Sequence, residues 1–253
     1  MSRSQQSLSA SSLRLSSRFA VRGFSLIELL TVVAIIGILA AIIVPTAGGA
    51  RNAAKKAKTR SQFSSWSSAF ETFRQEYGTY PQLYPQGAQK LVNQGAAANT
   101  TGAAPHHFHD VLAGVYRDGS ALPRSTSTAT PIPAVNQNTR RIRFYAFTDQ
   151  DFITAADITA GNGVAAQQYF IRDAFYNTSI AVVTDANLNG VINGSDSTGG
   201  FPAVTVANDT ITIRPTTTSG VTTATTGGIH AGVIFYCAPP KATTEADLIM
   251  SWK

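Results

Sequence analysis

The chain has 253 residues, 43% of them apolar and 13% charged, which suits one medium domain plus an extended element and excludes a charged disordered tail. Its formal charge of +6 lies mostly at the front: residues 1–23 hold Arg3, Arg14, Arg18 and Arg22 and no acid, leaving sixteen bases against fourteen acids behind them. A nucleic-acid partner is therefore not expected of the remainder, and the single cysteine, Cys237, excludes both a disulfide framework and a zinc–cysteine cluster.

After the basic leader, Phe24 to Val44 reads FSLIELLTVVAIIGILAAIIV, with Glu28 as its one ionisable side chain. As a helix these residues extend about 31 Å, the thickness of a hydrocarbon core. The arginines in front argue for a cytoplasmic N-terminus and a translocated C-terminal part. The signal is mixed, because Arg51, Lys55, Lys56, Lys58 and Arg60 follow the span. In an ordinary secretory signal a small-residue cleavage site comes after the apolar run; here the small residue, Gly23, precedes it. Cutting after Gly23 would leave the apolar helix on the mature chain with Phe24 as its first residue.

Glu28 costs roughly 2.5–3.5 kcal/mol if placed near the middle of a bilayer and less toward an end. It would lie only about 6 Å along a helix from the new terminus. A fresh α-amine is the obvious partner for its charge. The competing reading is a polar residue that snorkels to the interface of a plain signal anchor.

The run Arg22-Gly23-Phe24-Ser25-Leu26-Ile27-Glu28-Leu29-Leu30 resembles the cleavage and methylation signature of type IV pilins and type II secretion pseudopilins. The resemblance implies cleavage after Gly23 by a prepilin peptidase, N-methylation of Phe24, and extraction from the inner membrane by an assembly platform into a helical filament of homologous subunits. It also implies that Glu28 of one subunit neutralises the Phe24 amine of a neighbour. Membrane lipid would surround the helix before assembly, and the globular part would lie in the periplasm.

Beyond Val44, helix formers continue through Ala47, Ala50, Ala53, Ala54 and Ala57. Phe63, Trp66, Phe70, Phe73 and Tyr77 then fall at intervals of three and four, an aromatic seam on one helix face suited to packing against a sheet. Gly78 and Pro81 stop the helix near Tyr77. Gly37 and Pro45 are the expected kink positions. The predicted divisions are a leader (1–23), a membrane-spanning or filament-core helix (24–45), its amphipathic continuation (46–78) and a globular domain (79–253). Tyr77-Gly78-Thr79-Tyr80-Pro81 resembles the junction after the long helix of pseudopilins, which favours that branch of the family.

In the globular part, Phe108, Val111, Leu112, Val115 and Tyr116 have helical spacing with Gly119 behind them. Ile142, Phe144 and Ala146 alternate with Arg141, Arg143 and Tyr145 as a half-buried strand would. Tyr169–Ile171, Ile180–Val183, Val204–Val206, Ile211–Ile213 and Val233–Tyr236 are further strands. The expected fold is α+β: a long N-terminal helix packed on an antiparallel sheet with long loops. Residues 95–104, 125–139 and 215–228 read as exposed low-complexity loops.

Asp185-Ala186-Asn187-Leu188-Asn189-Gly190-Val191-Ile192 has the front of a calcium loop, with Asn193 ninth and Asp196 twelfth. The candidate ligands are Asp185, Asn187, Asn189, Val191 through its carbonyl, Asn193 and Asp196. With two anionic ligands, a structural calcium would bind weakly, at about 10⁻⁴–10⁻³ M. A hairpin turn in which Asp185 and Asn187 cap the backbone fits the same residues. His106-His107-Phe108-His109-Asp110 has metal-ligand residue types but reads as a solvated helix N-terminus, since no second cluster completes a zinc site. Asp173-Ala174-Phe175-Tyr176-Asn177 distantly resembles an Asp-Pro-Trp-Gly-Asn turn of pseudopilins, with its Pro, Trp and Gly replaced.

No catalytic constellation stands out, and a structural filament subunit rather than an enzyme is expected. Two other readings remain: a signal-anchored periplasmic metal-dependent enzyme using the histidines, and a DNA-uptake or adhesive pilin. The nearly neutral mature chain and the lack of paired C-terminal cysteines argue against the second.

Overall fold

The computed structural model describes residues 24–83, 90–94, 105–123, 132–196, 200–216 and 226–253. By internal contacts the chain divides into a unit ending at Gly49 and a second from Ala50 to Lys253. Helix α1, Leu26–Tyr77, has 52 residues, and its helical assignment is continuous through Gly37 and Pro45. Its first half is aliphatic. Its middle is rich in Ser, whose hydroxyls are absorbed by the preceding turn: Ser65 donates to the Ser61 carbonyl at 3.0 Å and Ser68 to that of Ser64 at 3.1 Å. The helix stops where the sequence indicates. Gly78 takes a left-handed φ of 79° and donates its amide to the Arg74 carbonyl at 2.7 Å, a conformation glycine adopts without a Cβ penalty.

In the second unit the aromatic seam is the centre of the core. Phe63, Trp66, Phe70 and Phe73 are buried. Strand β1 (Ile180–Thr184) pairs antiparallel with β4 (Val233–Cys237), and β4 with β5 (Ile249–Met250). Strands β2 (Val204–Thr205) and β3 (Thr212–Ile213) form a separate antiparallel pair. β4 is central and buried on both faces, so it reads as a continuous apolar run rather than an alternation. Val233, Phe235 and Cys237 face the α1 seam, while Tyr236 packs with the β2–β3 side. Phe235 sits under three seam rings, with centroids 5.7 Å from Phe63, 5.5 Å from Trp66 and 5.6 Å from Phe70. Burial of each large apolar side chain contributes roughly 1.5–3 kcal/mol, and these rings dominate the attachment of α1 to the sheet.

Three expectations are corrected. Helix α2 covers His107–Ala113 and ends at Gly114, φ 72°, so Val115, Tyr116 and the predicted stop at Gly119 lie beyond it. A Cβ on Gly114 would fall 2.8 Å from the Arg141 carbonyl carbon; the close approach selects glycine there. Residues 141–146 form no strand. Arg141 has φ 53°, and the amides of Phe144 and Tyr145 both donate to the Leu112 carbonyl, so the alternating side chains cover the end of α2 instead of a sheet. Tyr169–Ile171 is likewise irregular, with Tyr169 at φ 64° and one isolated bridge from Ile171 to Phe152.

Two short helices, α3 (Ala134–Gln137) and α4 (Ala155–Thr159), lie in loops. α3 falls inside the predicted low-complexity loop 125–139. There Asn138 is buried and donates to the carbonyls of Val111 and Ile142 at 2.8 and 2.7 Å. Residues 95–104, 125–131 and 217–225 of the predicted loops, and the leader, lie outside the described residues.

Candidate functional site

The N-terminal segment is built from an apolar helix with one carboxylate at its start. Phe24 and every Leu, Ile and Val from Leu26 to Val44 are exposed among the described residues, Leu26 at 82%. This stretch is long and apolar enough to cross a membrane. Glu28 stands in the first turn, where the helix has unsatisfied amides. Its Oε2 accepts the Ser25 amide at 3.0 Å, and its carbonyl accepts the Thr31 hydroxyl at 3.0 Å. Gly23, the predicted cleavage residue, lies outside the described residues.

At the far end of α1, Tyr80 folds back on the helix. Its hydroxyl donates to Glu71 Oε1 at 2.7 Å and accepts from Arg74 at 3.1 Å. Burial, followed by the bond to Glu71, pushes the Tyr80 hydroxyl up to about 12. Gly232, just before β4, lies against this pair; any Cβ there would overlap the Tyr80 hydroxyl and Glu71. The Gly232 carbonyl accepts the Asp185 amide at 2.9 Å, which joins the Tyr-Pro junction to the start of the calcium-like loop.

In that loop Asp185 and Asp196 are both buried. Asp185 accepts the amides of Asn189 at 3.2 Å and Gly190 at 2.7 Å. Asp196 accepts those of Ala186 at 2.9 Å and Asn193 at 3.1 Å. Asn187 and Asn189 make local turns to the amides two residues on, and Asn193 accepts from Ser195. Gly190 has φ 82° and Leu188 φ 59°. Ile192, the apolar eighth position, bridges Ile229. Sequence reasoning missed Lys90, which is buried and donates to the Asp196 carbonyl; burial brings its amine down to about 8. Among the described residues no three of His, Cys, Asp and Glu form a metal cluster.

The Asp173–Asn177 turn keeps its two end residues in working positions. Asp173 is buried and accepts the amides of Phe175 at 2.7 Å and Asn177 at 2.8 Å, and the Cys237 thiol at 3.2 Å. Burial lifts its carboxyl to about 6 and pushes the Cys237 thiol well up. Asn177 clamps the carbonyls of Thr205 and Ala238 at 2.9 and 2.8 Å. Tyr176, standing where the resembled turn has glycine, carries the left-handed φ of 64°.

The histidine cluster is not the solvated helix terminus expected: His106, His109 and Asp110 are buried. His106 Nδ1 caps α2 by accepting the His109 amide at 3.3 Å, and its Nε2 meets Asn93 Oδ1 at 2.9 Å. Asp110 accepts the His106 amide and bonds His109 Nδ1, both at 2.9 Å. Asn93, a second residue sequence reasoning missed, also donates to the carbonyls of Ile171 and Thr178 at 2.8 and 2.6 Å. Burial depresses the His106 imidazole well below its ordinary range. Both His106 nitrogens are committed, so the group ties α2 to the 171–178 segment and offers no converging ligand set.

A family profile described as the prokaryotic N-terminal methylation motif matches residues 18–44. The chain is 34% identical over 77 residues to the type II secretion system core protein G of Klebsiella michiganensis, covering 30% of this chain and 54% of that protein. It is 33% identical over 78 residues to the protein of the same name from Pectobacterium carotovorum subsp. carotovorum, covering 31% and 49%. For that of Aeromonas hydrophila the values are 34% over 76 residues, 30% and 52%. The chain thus spans about half the length of the curated relatives it matches, and no solved structure matches it significantly. Residues 18–44 thus match the prokaryotic N-terminal methylation motif, and over 76–78 residues the chain is similar to type II secretion system core protein G.

Proposed function

We propose that this chain is a structural subunit of a type II secretion pseudopilus or a related pilus-like filament. In this reading a prepilin peptidase cuts after Gly23 and Phe24 is N-methylated. The apolar half of α1 holds the subunit in the inner membrane with its globular part in the periplasm, until the assembly platform extracts it into a filament of homologous subunits. The observation that carries the reading is the methylation motif at 18–44 continued by a helix whose Leu, Ile and Val residues from Leu26 to Val44 are exposed among the described residues. Such a surface requires lipid or neighbouring subunits. No catalytic step is assigned to the chain; its part is mechanical. Mass spectrometry of the protein from its native cells tests this: an N-methylated Phe24 as first residue is expected, and a chain beginning at Met1 would overturn the proposal.

We further propose that the 185–196 loop takes a weak structural calcium. The residues fit a hard cation, since Asp185 Oδ1, Asp185 Oδ2 and Asp196 Oδ1 each accept one amide and retain a second lone pair. Asn187, Asn189 and the Val191 carbonyl would supply neutral oxygens, and Asn193 Oδ1 would do so on release of one of its two bonds from Ser195. Bound calcium would neutralise the two buried carboxylates and fix the loop that follows β1.

A further inference from the structure

Between Glu28 and Glu71 the chain has no acidic residue, and the five bases in that interval, Arg51, Lys55, Lys56, Lys58 and Arg60, fall within ten residues of α1. Four are exposed and Lys56 is partly so. Among the described residues none of the five forms an ion pair with a carboxylate. Lys58 donates to the neutral amide of Gln150 at 3.0 Å, and Lys55 stands 5.6 and 5.9 Å from the ring centroids of Phe175 and Tyr176. From Ser61 to the end there are eleven bases against thirteen acids. The positive charge of the processed chain is thus concentrated in this one segment.

Three features select the partner. At 3.6 residues per turn, Arg51, Lys55 and Lys58 fall within an arc of about 60°, while Lys56 and Arg60 lie roughly 140–180° round from Arg51. A protein partner meets one side of a rod, whereas a bilayer surface surrounds it. The cluster also begins near the apolar span, Arg51 coming seven residues after Val44 and Arg60 sixteen, about 11 and 24 Å along the helix. Finally, cations flanking a span oppose its translocation, a penalty that binding to anionic headgroups offsets.

We propose that Arg51–Arg60 is a basic collar that draws anionic phospholipid headgroups to the leaflet from which the globular part emerges while the subunit is still in the membrane, Arg51, Lys55 and Lys56 lying nearest the phosphates and Lys58 and Arg60 adding to the field. The proposal rests on α1 spanning a bilayer and is independent of filament assembly.

The test reconstitutes the full chain in phosphatidylcholine bilayers carrying a trace of spin-labelled phosphatidylcholine or spin-labelled phosphatidylglycerol. Electron paramagnetic resonance then reads the fraction of each lipid held by the protein. Several-fold preference for phosphatidylglycerol is expected, falling in high salt and disappearing when all five bases are changed to Gln. The double variant K56Q/R60Q, which spares the contacts to Gln150 and the Phe175 and Tyr176 rings, should lose part of the preference with unchanged folding. Equal association of the two lipids, or a preference that survives the five-fold change, would overturn the collar. Crosslinking of the five bases to acidic side chains of a neighbouring copy, without lipid preference, would also overturn it and assign the segment to subunit contacts. Failure of the chain to insert into phosphatidylcholine would refute the spanning reading, a result distinct from an inserted chain indifferent to headgroup.

Discussion

The Ser25 amide donates to Glu28 Oε2 at 3.0 Å, so the acid in the apolar segment already has a donor within its own chain. Cleavage after Gly23 would place a new α-amine on Phe24, one residue before that donor. The charge on Glu28 then distinguishes pairing with an amine from simple capping of the helix, because a neutral amide can still accept the Ser25 bond.

Glu28→Gln is accordingly expected to leave membrane insertion and helix capping intact while filament yield falls at least about tenfold, as loss of a charge pair worth about 1.4 kcal/mol or more would give. Sedimentation of sheared filaments, with membrane fractionation as control, reads both properties.

Gly232→Ala should destabilise the globular part by about 1–3 kcal/mol, the usual cost of forcing extra atoms into a packed site. The added methyl meets the Tyr80 hydroxyl and Glu71. Combining it with Tyr80→Phe removes the obstructing oxygen and should recover part of the loss. Equilibrium denaturation of the single and double variants checks this.

Asp173 and His106 give pH dependences of opposite sign. Burial raises the Asp173 carboxyl to about 6 from an unfolded value near 3.9, so its contribution is fully present below the unfolded value and is lost as pH rises through about 6. Relative to Asp173→Asn, the wild type should lose stability between pH 4 and pH 7. Burial depresses the His106 imidazole, so its contribution is present above about 6.5 and is lost as pH falls below that value. Relative to His106→Gln, the wild type should lose stability on acidification. Thermal melts of the three proteins across this range separate the two slopes.

Calcium added to the whole chain in detergent should raise its melting temperature, with half-saturation at about 10⁻⁴–10⁻³ M. Asp185→Asn should abolish the response. Heat uptake indistinguishable from a buffer blank in calorimetry would leave the loop as a turn held by its own Asx bonds.

The sequence read most reliably where local chemistry acts on consecutive residues. The span from Phe24 to Val44, the aromatic seam and the stop at Gly78 follow from hydrophobicity, helical spacing and a residue free to take positive φ. It failed where a segment answers to distant partners. The alternation at 141–146 is genuine, yet Leu112 takes the amides of Phe144 and Tyr145 and Arg141 turns to positive φ, so no ladder forms. The histidines looked solvated because burial of a polar group depends on a partner outside the motif, and Asn93 supplies one to His106.

By itself the sequence determined the methylation motif at 18–44, the apolar helix and its charge pattern, and the turn residues of the 185–196 loop, because each depends on neighbours within a few positions. Only the tertiary structure decided that Lys90 underlies that loop, that Gly232 must be bare for Tyr80 to reach Glu71, and that Asp173 shares a buried pocket with Cys237. Those relationships join residues as many as 161 positions apart in the sequence, and their geometry exists only after the core around Phe235 has closed.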